Sequence, residues 1–141
     1  MARIALDAMG GDFAPDAAVA GALHAILELP AEHTLQLVGP VDVIQERISA
    51  LSTGELAPAA ALTHRVELIE APDVIEMSDK PTAALRSKPN SSMVVGLKLQ
   101  TEGRSDAFIS AGNTGAQMAA STVLLKLHAG LTRPAIATLF P

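Results

Sequence analysis

Two short segments of the chain carry residue types that could hold a ligand, and one of them is suited to an anion. The first is Ser110-Ala111-Gly112-Asn113-Thr114-Gly115. Gly112 and Gly115 let a backbone come close to a ligand and tolerate a positive φ. If a helix follows, its free N–H groups point back at the turn. That end carries about half a positive charge and stabilises an anion by about 0.3–1 kcal/mol. Asn113 and Thr114 add side-chain donors, and phosphate is the natural guest. The bland alternative is a tight strand-to-helix connection with Thr114 as helix cap. The spacing is not G-x-G-x-x-G and lacks the lysine of a P-loop, so nucleotide fingerprints fail.

The second segment, Asp7-Ala8-Met9-Gly10-Gly11-Asp12, sets two carboxylates around two glycines. They could orient a hydroxyl, hold a metal, or accept hydrogen bonds from a neighbouring loop. Equally, Asp12 could cap the following helix and Asp7 anchor the turn by accepting backbone N–H groups. Between these segments, Met77–Lys88 gathers Lys80, Arg86 and Lys88 on an otherwise acidic chain. They could reach a phosphate or an acidic protein partner, or form a solvated loop. Ser91 and Ser92 are most simply helix caps. As acyl nucleophiles they need a base, and no histidine is placed to serve; His24, His64 and His128 suit the surface or packing.

The elements that must position these segments follow from apolar runs and breakers. Arg3–Asp7 reads as a buried strand. Pro15 and Asp16 open a helix to about Leu29, with Val19, Leu23, Ile26 and Leu27 at helical spacing. Thr34–Val38 is a second strand, Val41–Leu51 a second helix, Ser52–Thr63 a connection and Arg65–Glu70 a third strand. Pro72–Asn90 is polar and broken by Pro72, Pro81 and Pro89. A helix over Ser91–Glu102, capped by Ser91 or Asn90, precedes a strand over Ala107–Ser110. Thr114–His128 is then a helix closed by Gly130, and Ala135–Leu139 a fifth strand. This alternation predicts an α/β, doubly wound, mostly parallel sheet with helices on both faces. Ligands of such sheets bind outside the carboxyl ends of the strands, where both glycine-rich segments lie. The closing strand lacks a covering helix, so the pattern is that of a truncated sheet.

Composition narrows the function. With 141 residues, 49% of them hydrophobic, the chain can bury a core as one domain. Aromatics are 2%, which removes stacking platforms, and the net charge of -5 opposes counterion-release binding, so no nucleic acid partner is expected. Cysteine is absent, which rules out disulfides, thiolate metal sites and an acyl-cysteine intermediate. The four histidines lack ligand spacing, so neither a metal nor a cofactor is expected. The opening strand leaves no room for a signal peptide. No apolar run reaches the ~20 residues that span a bilayer, and a cytoplasmic location is expected.

In order along the chain, Asp7–Asp12, Val74-Ile75-Glu76-Met77-Ser78-Asp79-Lys80-Pro81, Arg86, Lys88, Ser91-Ser92-Met93, Ser110–Ala116 and Arg133-Pro134-Ala135 resemble the bacterial acyl-acyl carrier protein:phosphate acyltransferases, the PlsX family. Pro89, where the family often has a basic residue, and Gln117, where an apolar one is common, depart from its pattern. The family protein is more than twice as long, so residues 1–141 resemble its amino-terminal portion. The resemblance implies a fold similar to phosphotransacetylases and to the isocitrate/isopropylmalate dehydrogenases, and a homodimer with a cleft between two domains. It implies attack of inorganic phosphate on the thioester of acyl-acyl carrier protein, giving acyl phosphate for phospholipid synthesis.

On that reading Asn113 and the Gly112–Gly115 backbone, with Ser110 and Thr114, hold phosphate or the developing oxyanion, beside Gly10 and Gly11. Lys80, Arg86 and Lys88 lower the repulsion between phosphate and an acidic carrier protein, and Asp7 and Asp12 shape the cleft. Two other readings stand beside it. One is a non-catalytic binding or assembly fragment of that enzyme. The other is a nicotinamide-dependent dehydrogenase of the related fold, against which the missing dinucleotide fingerprint argues.

Overall fold

The computed structural model describes residues 1–138. Four strands, β1 (Arg3–Asp7), β2 (Thr34–Gly39), β3 (Val66–Glu70) and β4 (Ala107–Ile109), form one sheet in the order β3-β2-β1-β4. Every pairing is parallel; Leu6 lies opposite Leu37 on one side and Ile109 on the other. The chain winds outward from β1 to β3, then crosses back to place β4 beside β1. Such a reversal leaves a crevice between the carboxyl ends of β1 and β4.

Side-chain alternation along the strands divides the core between the two faces. On one face Ile4, Leu6, Leu35 and Leu37 pack under α1 (Asp16–Glu28), α2 (Val41–Leu51) and a 3₁₀ segment (Gly54–Arg65). On the other, Ala5, Val38 and Ile69 meet Leu99 of α4 (Ser92–Thr101). Val19, Leu23 and Ile26 of α1 are fully buried, each burial contributing about 1.5–3 kcal/mol. Within α4, Gly96 lies against the Phe108 ring, and a Cβ there would overlap it. A glycine that costs about 1 kcal/mol of helix propensity is thus what lets α4 close onto β4.

A buried arginine joins the first layer. Arg65, 8% exposed, donates to the carbonyls of Ile26, Leu29, Pro30 and His33 at 2.7–3.3 Å. These acceptors lie at and just beyond the end of α1, where the last turn of a helix leaves carbonyls without partners and carries partial negative charge.

Four expectations from the sequence need correction. The broken stretch 72–90 contains a helix, α3 (Pro81–Ser87), because Pro81 occupies its first position, where a missing N–H costs nothing. The connection after α2 is largely 3₁₀ helix rather than irregular. Helix α5 spans Thr114–Leu124 and stops short of His128; Lys126 has a φ of 67°, which ends the helical run. Residues 135–138 form no strand, and the last residue of the expected fifth strand, Leu139, lies outside the described residues.

Candidate active site at the switch point

The crevice between β1 and β4 is where the two glycine-rich segments meet. Asp7 ends β1 and is 3% exposed. Its Oδ1 accepts the Met9 N–H at 3.0 Å, the turn-anchoring role open to it from sequence. Its Oδ2 accepts the Ser110 hydroxyl, 2.7 Å away across 103 residues of chain. The Ser110 oxygen in turn accepts the Gly112 N–H at 3.0 Å. Gly10 fits over this group because it has no side chain. A Cβ would stand 2.8 Å from Asp7 Oδ2, 2.8 Å from Ser110 Oγ and 2.9 Å from Gly112 N. Gly11, at a φ of +106°, packs its backbone against Ala111. The two turns form one surface.

Asn113 ends that surface and starts α5. Its side-chain oxygen caps the helix by accepting the Ala116 N–H at 3.0 Å. Its amide lies 3.2–3.3 Å from the carbonyls of Glu76, Met77 and Asp79 and donates to them. The side chain is buried and committed at both ends, so it ties loop 76–79 to α5. Asn113, not Thr114, is the cap. The backbone amides of Thr114 and Gly115, in the first turn of α5, have no acceptor within the helix. Gly115 also lets α3 approach, since a Cβ on it would reach Pro81 Cγ at 3.0 Å.

Asn113→Asp should keep the cap and lose the loop. The carboxylate still accepts from Ala116 but faces three carbonyls with nothing to donate. We expect a loss of about 1–3 kcal/mol in chemical denaturation, with amide exchange rising selectively in residues 76–79.

The cations of the 77–88 region separate into two roles. Lys88 donates to the Asp79 carboxylate and to the Val74 carbonyl at 2.8 Å, so it pins the loop. Lys80 and Arg86 are exposed and, among the described residues, form no ion pair. Lys80 directly precedes Pro81, which touches the Gly115 turn, whereas Arg86 sits in the last turn of α3. Asp12 does not cap α1, whose cap position is Pro15. It is exposed and, with Met9, Gly11, Glu76 and Met77, lines an open cleft of about 510 Å³.

The Lys88 ammonium, and then the Glu76 N–H, hold the Asp79 carboxyl below its ordinary value of 3.8. The unfolded chain therefore takes up this proton at a higher pH than the folded one. The stabilisation is complete above pH 3.8 and is lost as the pH falls through the lower folded value. The Glu76 amide signal should shift in that acid window, and Lys88→Met should move the transition up towards the ordinary value.

The fold is α/β, with a parallel four-stranded sheet at whose switch point the two glycine-rich turns meet the start of α5. The chain belongs to the family described as "Fatty acid synthesis protein", whose model matches residues 2–141. It is 43% identical over 139 residues to a phosphate acyltransferase of Salinibacter ruber and 45% identical over 139 residues to one of Heliobacterium modesticaldum. It is 45% identical over 141 residues to a phosphate acyltransferase of Desulforamulus reducens. These matches cover 99–100% of this chain and 39% of each relative, so the chain spans well under half the length of the curated relatives it matches. Among the described residues no helix is long and apolar enough to cross a membrane.

Proposed function

We propose that the protein carrying this chain transfers an acyl group from acyl-acyl carrier protein to inorganic phosphate, and that the Ser110–Gly115 turn is where phosphate binds. A phosphate oxygen attacks the thioester carbonyl carbon and the carbon–sulfur bond breaks. The carrier leaves as its thiol and acyl phosphate is released for phospholipid synthesis. The observation that carries this reading is the union of the two turns at the switch point, with the Thr114 and Gly115 amides open at the start of α5. Those amides hold the anion; their fixed direction favours charge on oxygen as the reaction proceeds.

Gly10 and Gly11 allow the close backbone approach, and Lys80 with Arg86 supplies positive charge at the mouth. Asn113 and Lys88 serve by position, fixing the loop over the turn. Asp7 holds Ser110, and Asp12 faces the cleft. The proposal includes action in the cytoplasm as a homodimer.

The test is acyl phosphate formation by the 141-residue chain from acyl-acyl carrier protein and phosphate, with product trapped as hydroxamate. Product well above background places the essential groups among these residues. A folded chain that binds phosphate without turnover contributes part of a site, and the reading as an assembly fragment then stands. One feature favours that second reading: β4 is the outer strand of the described sheet, with Ile109 52% exposed at its edge.

A further inference from the structure

The open cleft beside the switch point differs in chemistry from the turn it adjoins. It lies between the segment that follows β1 and the loop that follows β3, and holds about 510 Å³, within the ~300–1,000 Å³ of small-molecule sites. Met9, Val74 and Met77 supply apolar surface, and Asp12, Glu76 and Ser78 supply polar groups. Among the described residues no lysine, arginine or histidine lines it, and neither Asp12 nor Glu76 forms an ion pair. Two carboxylates without a cation repel an anion, and a carboxylate only accepts hydrogen bonds. The ligand that fits is uncharged within the cleft, brings its own N–H and O–H donors, and is otherwise apolar.

Both walls are held by bonds of their own. The Asn113 amide donates to the Glu76 and Met77 carbonyls, the Asp79 carboxylate accepts the Glu76 N–H at 2.8 Å, and Lys88 donates to the Val74 carbonyl at 2.8 Å. Opposite, Gly11 lines the cleft and also packs against Ala111, which precedes Gly112. The cleft therefore adjoins the Ser110–Gly115 turn from both sides.

We propose that this cleft seats the pantetheine arm that carries the thioester. Asp12 and Glu76 accept from its amide N–H and hydroxyl groups, while Met9, Val74 and Met77 cover its methylenes and methyl groups, a task suited to adaptable methionine side chains. This rests on the reading of the switch point as the place of acyl transfer, and it adds where the donor lies. An arm in the cleft brings its thioester to the phosphate next door. The same arm hangs from a carrier protein or from coenzyme A, and the carrier is the source proposed above.

The test is a nuclear magnetic resonance titration of the 141-residue chain with reduced pantetheine, which has the arm but neither acyl group nor phosphate. The chain has no cysteine with which it would form a mixed disulfide. Saturable shifts are expected at Met9, Gly11, Val74 and Met77, whereas inorganic phosphate, added separately, should move Thr114 and Gly115. Asp12→Ala and Met77→Ser, both at exposed positions, should each weaken pantetheine by about threefold or more and leave the phosphate shifts as they are. Carrier protein bearing the arm should shift the same cleft residues, and carrier stripped of it should not.

No saturable shift in the cleft at millimolar pantetheine, in a chain that still responds to phosphate, would overturn the inference and leave the phosphate turn intact. Shifts centred elsewhere, or unchanged affinity in both variants, would overturn it as well. Pantetheine bound in the cleft of a chain that ignores phosphate would keep the cleft and remove the phosphate turn. Shifts from coenzyme A but not from the arm-bearing carrier would keep the arm and replace the carrier as its source.

Discussion

Gly10→Ala is expected to weaken phosphate binding at least tenfold while leaving the sheet in place. The added methyl would meet Asp7 Oδ2, Ser110 Oγ and Gly112 N, all within 2.9 Å. None of the three can yield freely. Asp7 is buried at the end of a central strand, Ser110 is bonded to it, and Gly112 N is backbone. Relief requires the two turns to separate, which also moves the start of α5. We expect a loss of about 1–3 kcal/mol in stability and at least a tenfold fall in phosphate affinity, of the order that misplaced donors impose. Gly112→Ala serves as the comparison. Its Cβ would meet Ser110 Oγ at 3.2 Å and Gly10 Cα at 3.4 Å, so a small shift accommodates it and the effect should be weaker. Calorimetric titration with phosphate, beside a thermal melt, checks both. Equal affinities for Gly10→Ala and the wild type would mean that the union of the turns has no part in binding.

The second large effect lies far from the site. Arg65→Ala should cost about 3–5 kcal/mol in urea denaturation, because several carbonyls lose a charged donor at once and each left unsatisfied costs about 1–3 kcal/mol. Four carbonyls, of Ile26, Leu29, Pro30 and His33, lose the guanidinium together; that of Pro30 keeps the His33 N–H, and two of the others belong to the end of α1 and its exit. Arg65→Lys should recover only part of this. One ammonium cannot spread its donors over carbonyls that the planar guanidinium reaches from two nitrogens and Nε. Phosphate affinity, measured where the variants remain folded, should be nearly unchanged. A loss below about 1 kcal/mol for Arg65→Ala would show that water replaces the arginine at these carbonyls.

The strands were legible because each is a short apolar run closed by Gly, Pro or Asp. β1, β2 and β3 fall within a residue of where their apolar runs place them. Helix α3 was hidden because Pro81 reads as a breaker when it is in fact the first helical residue. The two glycine-rich turns could be named from composition, but their contact could not. Asp7 and Ser110 are 103 residues apart, and only the sheet order, with β4 beside β1, brings them together.

The roles of Asn113 and Lys88 were obscured in a different way. A donor in a turn reads as free until its acceptors are known. For Asn113 these lie 34–37 residues away in a loop without regular pattern. For Lys88 the acceptor is Asp79, nine residues earlier and on the far side of α3. Arg65 looked like the start of a strand. Its carbonyl partners carry no side-chain signature, so no sequence pattern announces them.

The most direct test of the central claim is an amide-resolved nuclear magnetic resonance titration of the 141-residue chain with inorganic phosphate. If the switch point is the phosphate site, saturable shifts should be largest at Thr114 and Gly115, with smaller ones at Gly10, Gly11 and Gly112. No saturable shift at Thr114 and Gly115, in a chain whose other amides show it folded, would contradict the account.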